Sequence, residues 1–580
     1  MTIRGVIVKP IHRVALSVLL IFSVVAVSCG SDDESESSVS QVTATTAAPA
    51  VTTAAPAVTT AAPAVTTAAP AVASDCDILD DPVIAMAGPV LAINPDGPGQ
   101  NNLPSVQIFF ATYDSLTNWA IPSDGEALTA SLELGNAGTV EPQLAKSWDV
   151  SADGTVYTFN LHEGVMSDAG NEMTAEDVKW SLEKAIASAA TGAFWGFVGG
   201  LLSGDQIEII DDYTVQITLM APEDKFLPVL GTGWLVIYDS IEAKSHATEE
   251  DPWAQEWLNQ NSAGFGPYRV AEFGPGGDEV VLEARENYWG DQPTIQRVTQ
   301  RSAPDAGARL QLLLSGDAVY SGELTTQGLD KAEETDGITV TRIPTTTGTF
   351  LALTYEPPFD DLAVRAAIAQ AIPYQDIIDV TFGGKAELWD SILAPVVPGY
   401  DNRFFRGYDI DAAASVLGDL DADLTLSYAE GLPVDEEVAI LVQSSMKEAG
   451  FDLKLNKMPR AQFDGAKYGR TGEVQFFVNA IDAPAFFDAG YYTSIYGAAT
   501  GFLNWFGYGS ADLDAAMAAL IDPSTRDQAL LDVQEIYAND YAIHPIAWTG
   551  LKYAHSSCLE IPKAVTGNGL INIQDFVPVG

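Results

Sequence analysis

Three cysteines and five histidines are all that this 580-residue chain offers for thiol or imidazole chemistry. A zinc helix of the H-E-x-x-H kind needs two histidines one turn apart, and the stretch HEGVM (162–166) starts that pattern but ends it in Met166. The histidines form no cluster, so nickel ligation by imidazole is not expected, whereas a chelated metal needs fewer protein donors. There is no G-x-S-x-G nucleophile elbow and no G-x-x-x-x-G-K phosphate loop. DLDADLTLSYAE (419–430) sets aspartates at the first, third and fifth places of a calcium loop and a glutamate at the twelfth. Leu424 stands where the sharp turn needs glycine, and DLTLSY alternates like a strand, which predicts a turn entering a strand. Carboxylates are abundant enough for an acid–base pair, but no spacing singles one out. The expectation is a protein without catalytic residues, resident metal or cofactor.

Cys29 has a different context. Arg4, Lys9 and Arg13 precede the apolar run VALSVLLIFSVVAV (14–27), too short for an ordinary membrane span, and together they read as an export signal over residues 1–28. Ala26, Val27 and Ser28 before Cys29 resemble the lipobox of bacterial lipoproteins, with Ala26 where leucine is usual. Lipidation at Cys29 is expected, with an ordinary secretory signal or an uncleaved anchor as the alternative. Acidic SDDESESS (31–38) and four copies of TTAAPAV (45–72) follow; having no aromatic residue and a proline every seventh position, they cannot build a core. Residues 29–75 are therefore predicted to be a disordered Thr/Ala/Pro tether, on the order of 100 Å long if extended. Cys76 and Cys558 lie near the two ends of what remains. An exported domain permits a disulfide between them, and two separate thiols are the alternative.

The charge balance narrows the partners. Asp and Glu number 79 against 28 Lys and Arg, a net charge of −51 that repels phosphate backbones and anionic head groups, so nucleic acid is not an expected partner.

The elements that would position a site alternate between strand and helix. TVYTFNLH (155–162) puts Tyr157, Phe159 and Leu161 on one strand face, and YTVQITLM (213–220) does the same with Tyr213, Val215, Ile217 and Leu219. Between them TAEDVKWSLEKAIA (174–187) opens with Thr174 and Asp177 in capping-box spacing and stacks Val178, Leu182, Ala185 and Ile186 on one helical face. DEEVAILVQSSMKEAG (435–450) turns Val438, Leu441, Val442 and Met446 inward and stops at Gly450 before the strand FDLKLNKM (451–458). With no second low-complexity linker, an α/β protein of lobes packed together is predicted.

From 140 to 185, VEPQLAKSWDVSADGTVYTFNLHEGVMSDAGNEMTAEDVKWSLEKA resembles the family 5 extracellular solute-binding proteins of ABC importers, the dipeptide, oligopeptide and nickel binders. The departure there is His162, where an arginine or lysine is usual. The resemblance continues through GFGPYRVAEF (264–273), ENYWGDQPTIQRV (286–298) and NWFGYGSADLDAAMAAL (504–520), and covers nearly all of 80–562. It implies a type II periplasmic-binding-protein-like fold of two α/β lobes with an extra subdomain in the first. Lobe I would span 76–345 and lobe II 346–545, with 546–580 returning to lobe I and the crossings near 345–353 and 545–550. That return would bring Cys558 to Cys76.

The same resemblance implies function. The chain would be a monomeric lipoprotein on the outer face of the cytoplasmic membrane, capturing a small solute and passing it to an ABC permease. A peptide is the expected cargo; a sugar, opine or chelated nickel is the alternative, and a secreted hydrolase on a reused binding fold is the rival class. In the peptide binders an aspartate after a GW.AD segment pairs with the ligand's α-amine, which cannot be left unpaired in a closed cleft. The matching stretch is VNAIDAP (478–484), with Asp482 at the aspartate position and Asn479 before it; a solvated loop carboxylate is the alternative for Asp482. Trp195 in GAFWGFVGG (192–200) and Trp389 in GGKAELWDS (383–391) lie in stretches that read as glycine-containing loops. Both are candidates for apolar ligand contact, with core or hinge packing as the alternative. Trp148 and Trp289 fall in framework motifs.

Overall fold

The computed structural model describes residues 76–97, 102–122, 139–188, 191–479, 488–497, 504, 507–520, 524–561, 563–564 and 571–579. All of them fall in one of the chain's two compact units, Ala68–Gly580. The signal, Cys29, the tether and Asp482 lie outside the described residues.

Along the chain, β1 (Val83–Met86) leads into the helix Leu103–Thr112, and β2 (Thr117–Pro122) pairs antiparallel with β3 (Thr139–Pro142). Next come β4 (Ala145–Val150), β5 (Val156–Leu161), β6 (Ile207–Asp211) and β7 (Thr214–Thr218), which form an antiparallel sheet in the order β4-β5-β7-β6. The alternation read from sequence sets its faces: Tyr157, Phe159, Leu161, Val215 and Ile217 are buried. The helix Ala175–Ala187 packs on this sheet with Val178, Leu182 and Ala185 inward. Its start is fixed by Thr174, whose backbone N donates to Asp177 Oδ2 at 2.8 Å.

GAFWGFVGG is a correction to the sequence reading. Instead of a loop it forms the helix Thr191–Val198. Gly192 and Gly196 sit one turn apart, and a Cβ at 192 would stand 2.9 Å from the Ala185 Cβ, at 196 2.8 Å from the Leu201 carbonyl oxygen. The glycines therefore permit close packing, and the break comes only at Gly200, where φ is +76°.

The chain then supplies β8 (Tyr268–Phe273), β9 (Glu279–Ala284), β10 (Arg297–Ser302), β11 (Tyr320–Gly322) and β12 (Ile338–Ile343). It continues with β13 (Gly348–Leu353), β14 (Glu387–Leu388), β15 (Thr425–Ala429), β16 (Lys454–Met458), β17 (Phe476–Asn479), β18 (Ile543–Trp548) and β19 (Leu551–Ser556). Among the described residues these make two large sheets. One runs β12-β19-β11-β1-β10-β9-β8 and the other β14-β18-β13-β17-β15-β16. All six residues of β13 are buried, as a central strand covered on both faces requires. The helix Pro433–Glu448 covers the second sheet with Val438, Val442 and Met446, and Gly450 ends that segment at φ +83°.

β19 returns to the first sheet between β12 and β11. It carries Cys558 to Cys76, with the Cα atoms 5.6 Å apart and the sulfurs in bonding contact.

Candidate ligand-binding site

Two segments join the sheets, and they run side by side. The chain leaves β12 for β13 through 344–347 and comes back from β18 to β19 through 549–550. Trp548 Nε1 donates to the Thr345 carbonyl at 2.7 Å, and the Gly550 N–H donates to the Thr347 carbonyl at 3.1 Å. Gly550 holds φ +60°, and a Cβ there would come within 2.3 Å of the Ile343 carbonyl oxygen. A side chain at that point would push the two crossings apart.

The start of β13 is roofed by an aromatic group. Trp389 follows β14 directly, and its backbone N donates to the Ile546 carbonyl at 3.1 Å. Its indole lies so close over Gly348 that a Cβ there would meet the ring at 2.7 Å. Trp389 Nε1 donates to the Leu393 carbonyl at 2.9 Å, and the ring meets Phe350 edge to face at 6.1 Å. Phe350 meets Tyr496 in the same way at 6.0 Å. Trp389 is 2% exposed, so in this conformation it packs at the base of the crossings.

Phe350 also pairs across the ladder with Asn479, the last residue of β17. Asn479 is buried; its Oδ1 accepts from Lys467 Nζ at 3.4 Å, and its Nδ2 has no hydrogen-bond partner among the described residues. Lys467 belongs to the helix Arg460–Gly469, with its ammonium 3.6 Å from Asp464 Oδ1 and 5.4 Å from the centre of the Phe463 ring. The structure thus brings Asn479 and Trp389 together around Phe350, near the crossings. Asp482, three residues past Asn479, lies outside the described residues.

Trp195 belongs elsewhere. Its indole is buried and stacks on Trp234 with centroids 5.3 Å apart, and Trp234 in turn meets Phe110 at 5.4 Å. The framework tryptophans are also placed: Trp148 packs 6.4 Å from Phe159, and Trp289 Nε1 donates to Asp114 Oδ2 at 2.8 Å.

Among the buried charged residues that sequence reasoning missed are Asp114 and Lys467. Asp114 accepts from Trp289, from the Tyr288 hydroxyl at 3.1 Å and from Gln143 Nε2 at 2.7 Å, so it ties YWG to the end of the helix Leu103–Thr112. Burial pushes its carboxyl up to about 7, against those hydrogen bonds and the Arg285 guanidinium, which favour the anion. Lys467 stands four residues after Phe463, on the same buried helical stripe; that spacing is the one signal that could have found it. Asp114 has no such signal among 79 acidic residues. Among the described residues no group of three or more His, Cys, Asp or Glu side chains could hold a metal ion, and no helix is long and apolar enough to cross a membrane.

The crossings and the buried cluster around Phe350 lie where the chain passes between the two large sheets. Comparison with known proteins gives the same architecture. The family model described as bacterial extracellular solute-binding proteins, family 5 Middle, matches residues 139–503. The Escherichia coli (strain K12) probable D,D-dipeptide-binding periplasmic protein is 27% identical over 327 residues, covering 56% of this chain and 62% of that protein. A probable di/tripeptide-binding protein of Pseudomonas aeruginosa (strain UCBPP-PA14) is 30% identical over 274 residues, covering 44% of this chain and 51% of the relative. The chain thus spans about half to three fifths of the length of the curated relatives it matches. Among solved structures, a periplasmic binding protein from Helicobacter pylori in complex with the peptide STSA matches with a TM-score of 0.71 at 22% identity, covering 86% of this chain and 97% of that one. A dipeptide-binding protein from a Pseudoalteromonas species in complex with Met-Leu gives 0.72 at 18% identity, covering 86% and 100%. These likenesses show the fold: a type II periplasmic-binding-protein architecture.

Proposed function

Since this chain belongs to the family 5 bacterial extracellular solute-binding proteins, we propose that it captures a short peptide outside the cell and delivers it to an ABC permease. The observation that carries this reading is the pair of hydrogen-bonded crossings with Asn479 and Trp389 gathered beside them, a binding edge set next to a hinge. The binding proteins named above for dipeptides and tripeptides support the peptide class. The lobes are assigned to 76–345 and 346–545, with 546–580 returning to the first. Ligand binds one lobe and closure adds contacts from the other, so binding energy favours the closed form that the permease reads. The α-amine falls to Asp482, with Asn479 beside it on the main chain of the ligand. Trp389 supports that edge through Phe350, whereas the packing of Trp195 on Trp234 supports a core role for it.

The rest of the chain fits delivery at a membrane. Residues 1–28 act as export signal, Cys29 carries lipid, and 29–75 holds a monomeric binding domain off the outer face of the cytoplasmic membrane. Outside the cell the contact between Cys76 and Cys558 becomes a covalent bridge.

The test is calorimetry with di- to pentapeptides, each with a free or an acetylated amine, on the full chain and on Asp482→Asn. Free-amine peptides are expected to bind, to be recovered uncleaved, and to raise stability by about 2.7 kcal/mol at roughly 100 times their Kd. Acetylation and Asp482→Asn are each expected to weaken binding by at least about tenfold. Folded protein that ignores every peptide overturns the reading, and so does turnover of a bound one. Binding of an opine or a nickel chelate in place of peptides would keep the carrier and replace its cargo.

A further inference from the structure

Beside the two crossings, the large sheets are joined by side chains. TFGGK (381–385) follows the helix Tyr374–Val380, and its Gly383 and Gly384 hold φ at +59° and +72°, left-handed positions that other residues take only under strain. The turn is closed by the Lys385 N–H on the Phe382 carbonyl at 2.9 Å, and it brings Lys385 to the helix Thr326–Glu333, which packs on β12 of the seven-stranded sheet. Lys385 Nζ lies 2.5 Å from Asp330 Oδ1 and 3.5 Å from Glu333 Oε2. Arg342, on β12, grips both oxygens of Glu333 at 3.1 and 3.0 Å and so fixes that carboxylate. The Thr326 hydroxyl donates to the Thr381 carbonyl at 2.7 Å. Among the described residues, the ion pairs of Lys385 are the only ones that join residues before the crossings to 348–548.

This contact and the candidate ligand site lie on opposite faces of the six-stranded sheet. Residues directly opposite on an antiparallel ladder share a face, so Phe350 and Asn479 point to one side, where Trp389 and Tyr496 pack, and Leu351 and Val478 point to the other. Ile377, Ile378 and Phe382 belong to the core on the Leu351 side, so the turn that carries Lys385 continues the layer behind the crossings. On the Phe350 side the nearest charges stay apart. Lys225 and Asp488 are within electrostatic reach of each other, but Lys225 pairs with Glu223 and Asp224, and Asp488 pairs with Arg526 at 2.7 Å.

A hinge bent toward one face widens at the other. Closing over a ligand on the Phe350 side draws Lys385 away from Asp330 and Glu333, and opening restores the ion pairs. We propose that Lys385, Asp330 and Glu333 form a backstop behind the crossings that favours the open form and thereby sets ligand affinity from outside the binding cleft. The inference rests on the closure about the crossings proposed above. Apparent affinity scales with the fraction of molecules in the binding-competent form, so weakening the backstop tightens binding without any new contact to the ligand.

The experiment compares the full chain with Lys385→Glu, Lys385→Arg and the charge swap Lys385→Glu, Asp330→Lys. Lys385 is exposed, so these changes leave the core intact, and circular dichroism checks that each variant is folded. Calorimetry with free-amine di- to pentapeptides should show binding about fivefold tighter in Lys385→Glu, where a third carboxylate replaces the cation. Lys385→Arg should keep the parent Kd, and the charge swap should return toward it, as a mere loss of packing would not. A second readout needs no ligand. Nitroxides on p-acetylphenylalanine at the exposed positions 221 and 528, near Lys225 and Arg526, report the distance across the Phe350 side by double electron–electron resonance. In ligand-free Lys385→Glu that distance should shift to shorter values. A distribution unchanged by Lys385→Glu overturns the backstop, and so does a Kd that is unchanged or raised. Peptides that fail to bind the parent overturn the cargo reading alone, and the spin-label distances then decide the backstop.

Discussion

Asp114, just after the helix Leu103–Thr112, and His544, on the six-stranded sheet, are both taken out of water, and their surroundings treat them differently. Asp114 is held by three side-chain donors that knit separate segments together. His544 is left with an unpaired nitrogen at the edge of a cavity. At Asp114 the buried polar group works as a fastener, while at His544 it is an unused hydrogen-bonding position. Burial drives both toward their neutral forms, but one is an acid and the other a base, so their effects on stability run in opposite directions with pH.

The largest expected effect is this opposed pair of slopes. The His544 imidazole is lowered from 6.5 to about 3, so the unfolded chain takes up a proton that the folded chain refuses. Its contribution is complete above pH 6.5 and is lost as pH falls toward 3, by up to about 5 kcal/mol at about 1.4 kcal/mol per unit. Asp114 is raised from 3.8 to about 7, so the folded chain keeps a proton that the unfolded chain gives up. Its contribution is complete below 3.8 and is lost as pH rises toward 7, by roughly 4 kcal/mol. Over the shared span the two offset each other. Urea unfolding from pH 4 to pH 7 should therefore show stability falling with pH in His544→Leu and rising with pH in Asp114→Asn, relative to the parent. Slopes of the same sign in the two variants would break the comparison.

A smaller effect is expected at the ends of the first lobe. The proposed bridge from Cys76 to Cys558 would close a loop across nearly the whole folded region, and the Cys76→Ser, Cys558→Ser pair should lower the unfolding free energy read from urea titration by about 3 kcal/mol. The smallest effect is at the crossings. Trp548→Phe removes the hydrogen bond to Thr345 and should cost about 1 kcal/mol, read by calorimetry as a lower melting temperature or as a split of one transition into two.

The sequence carried the architecture well wherever periodicity decided it. The strands through Tyr157 and Val215 and the helices through Val178 and Val438 form where alternation and helical spacing put them, because one buried face is enough to fix each of them. GAFWGFVGG failed as a loop because glycine has two uses, and here Gly192 and Gly196 serve contact instead of flexibility. Asn479 and Trp389, two of the residues expected to contact a ligand, meet around Phe350. Asp114, Lys467 and His544 were not legible. Each is an ordinary polar residue in its local stretch, and its burial is set by segments distant in the chain, such as Tyr288 for Asp114 and Arg365 for His544. No local pattern records such an environment.

The crossings have a mechanical consequence. A single connecting strand can swivel in any direction, but two strands laid side by side and stitched at Thr345, Thr347 and Gly550 behave as a flat strap. A strap folds readily across its width and resists sliding of one edge past the other. The opening proposed above would thereby be channelled toward one bending direction, returning the two halves to the same alignment each time.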